Sequence, residues 1–202
     1  MGNINSKGLN TLSHFRNSRV GMEMQEPVFL NLWTCEMTLP AGLDTAGGSK
    51  TNLLLEGLQK VSGLDTSKVP GAMDQRYKSS NRSYSNAGPD NTYIEVDLDF
   101  EINIQRNNET VSLEQLKLLR EWCALVYNPM TGRMGLKTTY AAPQITFTLH
   151  DKAYNPIWQW TLYNAFPVSS VTVPDLDYSN KNTPYKVTGF KLRADYWDET
   201  IL

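Results

Sequence analysis

Few side chains in this sequence could carry covalent or acid–base chemistry. Its 202 residues include two cysteines, Cys35 and Cys123, and two histidines, His14 and His150. A nucleophile needs a base within hydrogen-bond reach, and zinc needs ligands at short, fixed spacings. Neither CxxC nor HxxxH occurs, and no G-x-S-x-G, G-x-x-x-x-G-K or G-x-G-x-x-G motif is present. His150 closes a strand-like segment before a tight connection, which is the setting of a rim histidine. Cys123 lies among helix-spaced leucines, and Cys35 shares a strand face with Phe29 and Trp33. Both read as small buried hydrophobes. Asp195, Asp198 and Glu199 cluster at the end of a strand-like segment, where solvated charge is the expectation. The sequence therefore predicts no catalytic residue, no metal ligand set and no cofactor.

One charged pattern stands apart. From Thr92 to Ile104, Ile94, Val96, Leu98, Phe100, Ile102 and Ile104 alternate with Tyr93, Glu95, Asp97, Asp99, Glu101 and Asn103. A period of two puts the apolar set in a core and the acidic set on the opposite face. Four carboxylates on one strand face repel one another. Two readings follow: neighbouring strands neutralise them, with Lys191 and Arg193 as candidate cations, or the face is deliberately negative. A metal site is disfavoured, because successive same-face groups lie about 7 Å apart.

The remaining elements frame this strand. An extended arm is expected over 1–27, with one domain over 28–202. Residues 28–38 predict a strand with Phe29, Asn31, Trp33, Cys35 and Met37 on one face. Two long loops follow, at 39–60 and 66–91, with a short helix over 51–61 carrying Leu54, Leu55 and Leu58. Ser112 with Gln115 three positions on predicts a capping box for a helix over 112–126. Leu116, Leu119, Cys123 and Val126 recur at helical spacing, and Leu118, Trp122 and Leu125 widen that face. Leu116, Leu119 and Trp122 are its expected core contacts. Further strands are predicted over 145–150, 157–163 and 185–197, the last with Phe190, Leu192, Ala194 and Tyr196 inward. Trp158, Trp160 and Leu162 share a side, which favours a core role over a stacking platform for sugar. The expected fold is mainly β: a small antiparallel β-barrel or sandwich with one flanking α-helix.

Composition narrows the function classes. Lys plus Arg number 19 against 21 Asp plus Glu, a net charge of −2, so no global basic field exists to grip nucleic acid. Two cysteines make no disulfide framework in a chain of this length. Residues 1–25 contain no apolar signal core, and no run approaches the roughly 18 apolar residues of a membrane span. Folding in a reducing cytoplasm is the expectation, which makes Asn81-Arg82-Ser83 and Asn108-Glu109-Thr110 chance matches to the glycosylation pattern.

Several segments, taken in order, resemble the tail-tube family of contractile phages. They are Val61-Ser62-Gly63-Leu64-Asp65, the strand 92–104, the helix 112–126 with Trp122, and Ile145-Thr-Phe-Thr-Leu-His-Asp151. After these come Asn155-Pro156-Ile157, Trp158-Gln-Trp160, Asn164-Ala165-Phe166-Pro167-Val168 and the closing Asp195-Tyr196-Trp197. The T-even tail tube, the inner tubes of phage-tail-like injection systems and the haemolysin-coregulated protein of type VI secretion share this family's fold. The resemblance covers roughly 28–38 and 61–198; the arm and the 39–60 insertion depart from it.

The resemblance implies a non-enzymatic structural subunit. Six copies would form a ring, and rings would stack into a tube, with sheath protein outside, tape-measure protein or DNA inside, and a baseplate at one end. The location implied is a virion or particle tail assembled in the bacterial cytoplasm, with no membrane contact. Glu95, Asp97, Asp99 and Glu101 would face the lumen. Lys68, Arg76, Tyr77, Lys78, Arg82 and Tyr84 would make inter-ring or inter-subunit contacts. The alternatives are a baseplate tube-initiator, a tail terminator, or a receptor- or sugar-binding β-domain of a tail. An envelope hydrolase would need convergent carboxylates or a Cys/His pair, which the sequence lacks.

Overall fold

One-sided burial along an alternating segment is clearest over residues 94–101. The computed structural model describes residues 27–43, 49–65, 71–78, 80–86, 88, 93–107, 110–174, 176–179, 181 and 183–202. The elements in the first half are β1 (Trp33–Met37), α1 (Ser49–Glu56), β2 (Leu58–Ser62), β3 (Ala72–Arg76), β4 (Asn81–Ser85), β5 (Ile94–Glu101), β6 (Gln105–Asn107) and β7 (Thr110–Ser112). In the second half come α2 (Glu114–Val126), β8 (Tyr127–Asn128), β9 (Arg133–Met134), α3 (Lys137–Tyr140), β10 (Ala142–His150), β11 (Pro156–Pro167), β12 (Lys186–Ala194) and β13 (Tyr196–Ile201).

Seven strands form one antiparallel sheet in the order β1-β10-β11-β12-β5-β2, with β13 also paired to β11. The pairs β3–β4, β6–β7 and β8–β9 are separate two-stranded ribbons. The fold is thus mainly β and antiparallel, with α2 packed on the sheet. Val96, Leu98, Phe100, Ile145, Phe147, Leu162, Phe190 and Leu192 from the sheet bury together with Leu119 and Trp122 of α2.

Several local expectations are corrected. The helix over 51–61 ends at Glu56, because Gly57 hands the chain to the sheet: the amide of Glu101 donates to its carbonyl at 2.7 Å. Leu58 then starts β2. The strand over 92–104 stops at Glu101, where Lys186 is the last partner on β12. Ile102 is still buried, but Ile104 is exposed. The segment 185–197 divides at Asp195, β12 running against β5 and β13 against β11. That irregularity shifts the alternation by one residue. Tyr196 therefore faces solvent and stacks on Tyr163 at 4.8 Å rather than entering the core.

The capping box does not form either. Ser112 lies in β7, and Leu113 occupies the cap position without a side-chain cap bond. Gln115 is buried instead. It accepts from the Asn103 amide at 2.9 Å and donates to the Leu53 carbonyl at 2.8 Å, tying α1 and the end of β5 to α2.

Gly63, in the Val-Ser-Gly-Leu-Asp turn, has φ +86, and a Cβ there would lie 2.5 Å from the Glu95 carbonyl oxygen. Both the left-handed backbone and the contact exclude a side chain. Gly63→Ala is expected to destabilise the protein by about 1–3 kcal/mol in chemical denaturation. A loss near zero would show that the turn re-forms at no cost.

Candidate functional site

The acidic strand face is built by sheet register. Across β5, Lys60 of β2 lies opposite Asp99, while Lys186, Lys191 and Arg193 of β12 lie opposite Glu101, Asp97 and Glu95. The Arg193 guanidinium donates twice to Glu95 Oε1, at 3.0 and 2.5 Å, and stacks 4.1 Å from the Tyr93 ring centroid. Lys191 reaches Asp97 at 3.8 Å and Glu95 at 3.9 Å. Lys186 lies 3.8 Å from Glu101, and Lys60 3.9 Å from Asp99. Asp99 also accepts the Gly189 amide at 2.8 Å, and Gln59 donates to Glu101. All four carboxylates are thus paired to cations on the flanking strands, each with a directly opposite partner, the arrangement that stabilises cross-strand neighbours. Of the two readings of this ladder, neutralisation by neighbouring strands is the one the register supplies.

A second feature lies in the segment expected to be a loop. Between 71 and 86 the chain forms the β3–β4 ribbon, and every residue of the two strands is exposed. Ser83 donates to Asp74, the Tyr77 amide bonds the Ser80 carbonyl at 2.8 Å, and Asn86 donates to Gly71 at 2.8 Å. Arg82 sits 5.7 Å over the Tyr77 ring. Met73, Tyr77 and Tyr84 present apolar surface to solvent, with Arg76, Lys78 and Arg82 around them. Lys68 and the arm 1–26 lie outside the described residues. An isolated two-stranded ribbon is marginal in water and gains stability from a partner surface.

In α2, Leu119 and Trp122 are buried, and Leu116 is half-buried against the same core. Trp122 donates from Nε1 to the Tyr140 carbonyl at 2.8 Å and packs 6.1 Å from Phe190.

The chemically versatile residues stay dispersed. Burial, with Glu36 adding to it, pushes the Cys35 thiol up to about 12, so it stays protonated at neutral pH. Burial also raises the Cys123 thiol. His150 Nε2 bonds Thr34 Oγ1 at 2.8 Å at the sheet rim. Trp158 and Trp160 are half-buried and packed on each other at 4.4 Å, and Trp158 donates to Glu199 at 2.9 Å. Of that face only Leu162 is fully enclosed. Among the described residues no three His, Cys, Asp or Glu side chains are placed to hold a metal ion. No helix among them is long and apolar enough to cross a membrane.

No protein-family model matches the chain, and no curated protein matches it by sequence. Solved structures do. The tube-terminating cap of the anti-feeding prophage aligns over 90% of this chain and 96% of its own, at 15% identity and a TM-score of 0.57. A chain of the PVC extracellular contractile injection system's sheath–tube complex, in the extended state, aligns over 89% and 95%, at 16% identity and TM-score 0.55. The sheath/tube terminator of the PVC system aligns over 88% and 99%, at 16% identity and TM-score 0.52. At these identities the likeness is one of fold, and it runs nearly end to end in both partners. The chain has the tail-tube-like fold of contractile injection systems.

Proposed function

We propose that this chain is a structural, non-enzymatic subunit of the tube of a contractile phage or phage-tail-like injection particle. The supporting observation is the reciprocal coverage, 88–90% of this chain and 95–99% of the neighbours, by cap, terminator and sheath–tube chains. A shared outline over whole chains favours a shared assembly role over a borrowed module.

In this reading residues 28–202 act as one unit behind the 1–27 arm. Six copies close into a ring, and rings stack into a tube bounded by sheath outside and baseplate at one end. Among the described residues the sheet has edges at β1, β2 and β13, and side-by-side closure would cover such edges. The face carrying Glu95, Asp97, Asp99 and Glu101 lines the lumen, where tape-measure protein, DNA or effector passes. Its four carboxylates and four cations balance, so the wall adsorbs phosphate less than a basic wall would. It also repels phosphate less than four bare carboxylates would. The β3–β4 ribbon, with Arg76, Tyr77, Lys78, Arg82 and Tyr84, reaches the adjacent subunit or ring. The particle tail is the location, after assembly in the bacterial cytoplasm.

A second reading, an end ring that terminates the tube, draws on the cap and terminator among the neighbours. Negative-stain microscopy of the purified protein separates the two. A tube subunit is expected to give stacked rings of extended length at high concentration, and an end-ring protein single rings. A protein that stays monomeric at every concentration, and is absent from purified tails, would sink both.

A further inference from the structure

Three strands of the main sheet, β1, β2 and β13, keep an unpaired edge among the described residues. An open edge offers main-chain donors and acceptors to another strand. The three differ in charge. β1 carries Glu36 and β2 carries Lys60, whereas β13 carries Asp198 and Glu199 and no cation. On its inner side β13 also leaves apolar surface half-open. Trp197, Glu199 and Ile201 lie across from Leu162, Trp160 and Trp158. The three tryptophans are half-buried there, and Ile201 is exposed.

The β3–β4 ribbon complements this edge. Residues 71–86 carry Arg76, Lys78 and Arg82 against the one carboxylate of Asp74. Register sets Met73 opposite Tyr84 and Gln75 opposite Arg82, so one side of the ribbon gathers these four. Tyr77 completes that side: its hydroxyl donates to Gln75 Oε1 at 2.9 Å, and Arg82 lies over its ring. Every residue of β3 and β4 is exposed, so this side is not covered by its own subunit. The outer edge of β4 pairs with no strand among the described residues.

We infer that β4 of one copy adds antiparallel to the β13 edge of a neighbouring copy, with Arg82 opposite Glu199, Ser83 opposite Asp198 and Tyr84 opposite Trp197. The inference rests on the tube reading and gives the ribbon its receiving surface. Arg82 and Tyr84 stand two residues apart on one side of β4, and Glu199 and Trp197 two apart on the inner side of β13. A single alignment therefore sets cation against carboxylate and ring against ring, both favourable cross-strand pairs. At the β2 edge Lys60 would repel the ribbon, and β1 offers one carboxylate where β13 offers two in succession.

Disulfide trapping in the full chain tests the pairing. Directly opposite residues of an antiparallel pair have Cα atoms about 4.5–5.5 Å apart, within disulfide reach. Ser83→Cys and Asp198→Cys chains are prepared separately, mixed under assembly conditions and oxidised. The native thiols give little background, because burial raises both. The mixture is expected to yield a disulfide-linked dimer on a non-reducing gel that neither variant yields alone. Ser83→Cys mixed with Ser62→Cys, on the β2 edge, is expected to yield none. Arg82→Glu is expected to need about tenfold more protein to assemble, and Arg82→Glu combined with Glu199→Arg to regain the parent's assembly, with circular dichroism and melting temperature as folding controls. Rings or tubes in negative stain without a dimer from the Ser83→Cys and Asp198→Cys mixture would overturn the pairing and leave the tube reading standing. An equal yield from the Ser62→Cys mixture would overturn β13 as the seat. A double variant no better than Arg82→Glu would overturn the match of Arg82 with Glu199. A parent that forms neither rings nor tubes would overturn the tube reading, and the pairing with it if no dimer is trapped.

Discussion

Replacing Trp122 with alanine is expected to lower the unfolding free energy by about 3–5 kcal/mol, the range for deleting a large aromatic from a core. Trp122 is 1% exposed and leans on Phe190 at 6.1 Å. Its indole also donates to the Tyr140 carbonyl at 2.8 Å. Alanine would open a cavity between α2 and the sheet and leave that carbonyl without its partner, two costs of separate origin. Trp122→Phe keeps most of the packing but not the donor, so its loss is expected to be clearly smaller. Urea unfolding followed by far-UV circular dichroism, at protein concentrations below assembly, measures both. A loss under about 1 kcal/mol for Trp122→Ala would mean that α2 is not anchored through this residue.

On the tube reading proposed above, deleting Ala72–Ser85 and joining Gly71 to Asn86 is expected to abolish long tubes while leaving the subunit folded. The junction is short by construction, since the Asn86 amide already bonds the Gly71 carbonyl at 2.8 Å. Both strands of the ribbon are exposed along their whole length, so the core loses nothing. Unfolding free energy is expected to change by no more than about 0.5 kcal/mol. Tyr and Arg are enriched at protein–protein contacts, and the ribbon offers Tyr77, Tyr84, Arg76 and Arg82 together. Sedimentation and microscopy of the shortened protein decide the matter. Polymerisation as ready as the parent's would make the ribbon an ornament of the tube exterior.

How far the sequence went depends on whether burial left a period along the chain. The alternation from Ile94 to Glu101 announced β5, because one side of that strand is wholly enclosed and the other is not. The leucines and Trp122 of α2 were legible for the same reason. The β3–β4 ribbon was not, because both of its faces are exposed and no apolar alternation marks it. Ser112 and Gln115 have the spacing of a cap, yet Gln115 is drawn inward by the backbone groups of Asn103 and Leu53, which only the fold brings near. Tyr196 followed the period of β12 on paper, but the irregularity at Asp195 turned it outward.

The sequence by itself determined the fold class, the strand and helix that carry the core, and the absence of any conventional catalytic motif. These are properties of composition and of periods of two and 3.6 residues, which one-sided burial writes directly into neighbouring positions. Only the tertiary structure decided the electrical character of the β5 face. Arg193 is 98 positions from Glu95, and the other cations that face the ladder come from both flanking strands. Which strands flank β5, and in what register, is set by packing among residues far apart in the chain. A run of four carboxylates therefore looks bare along the sequence and is balanced in the sheet.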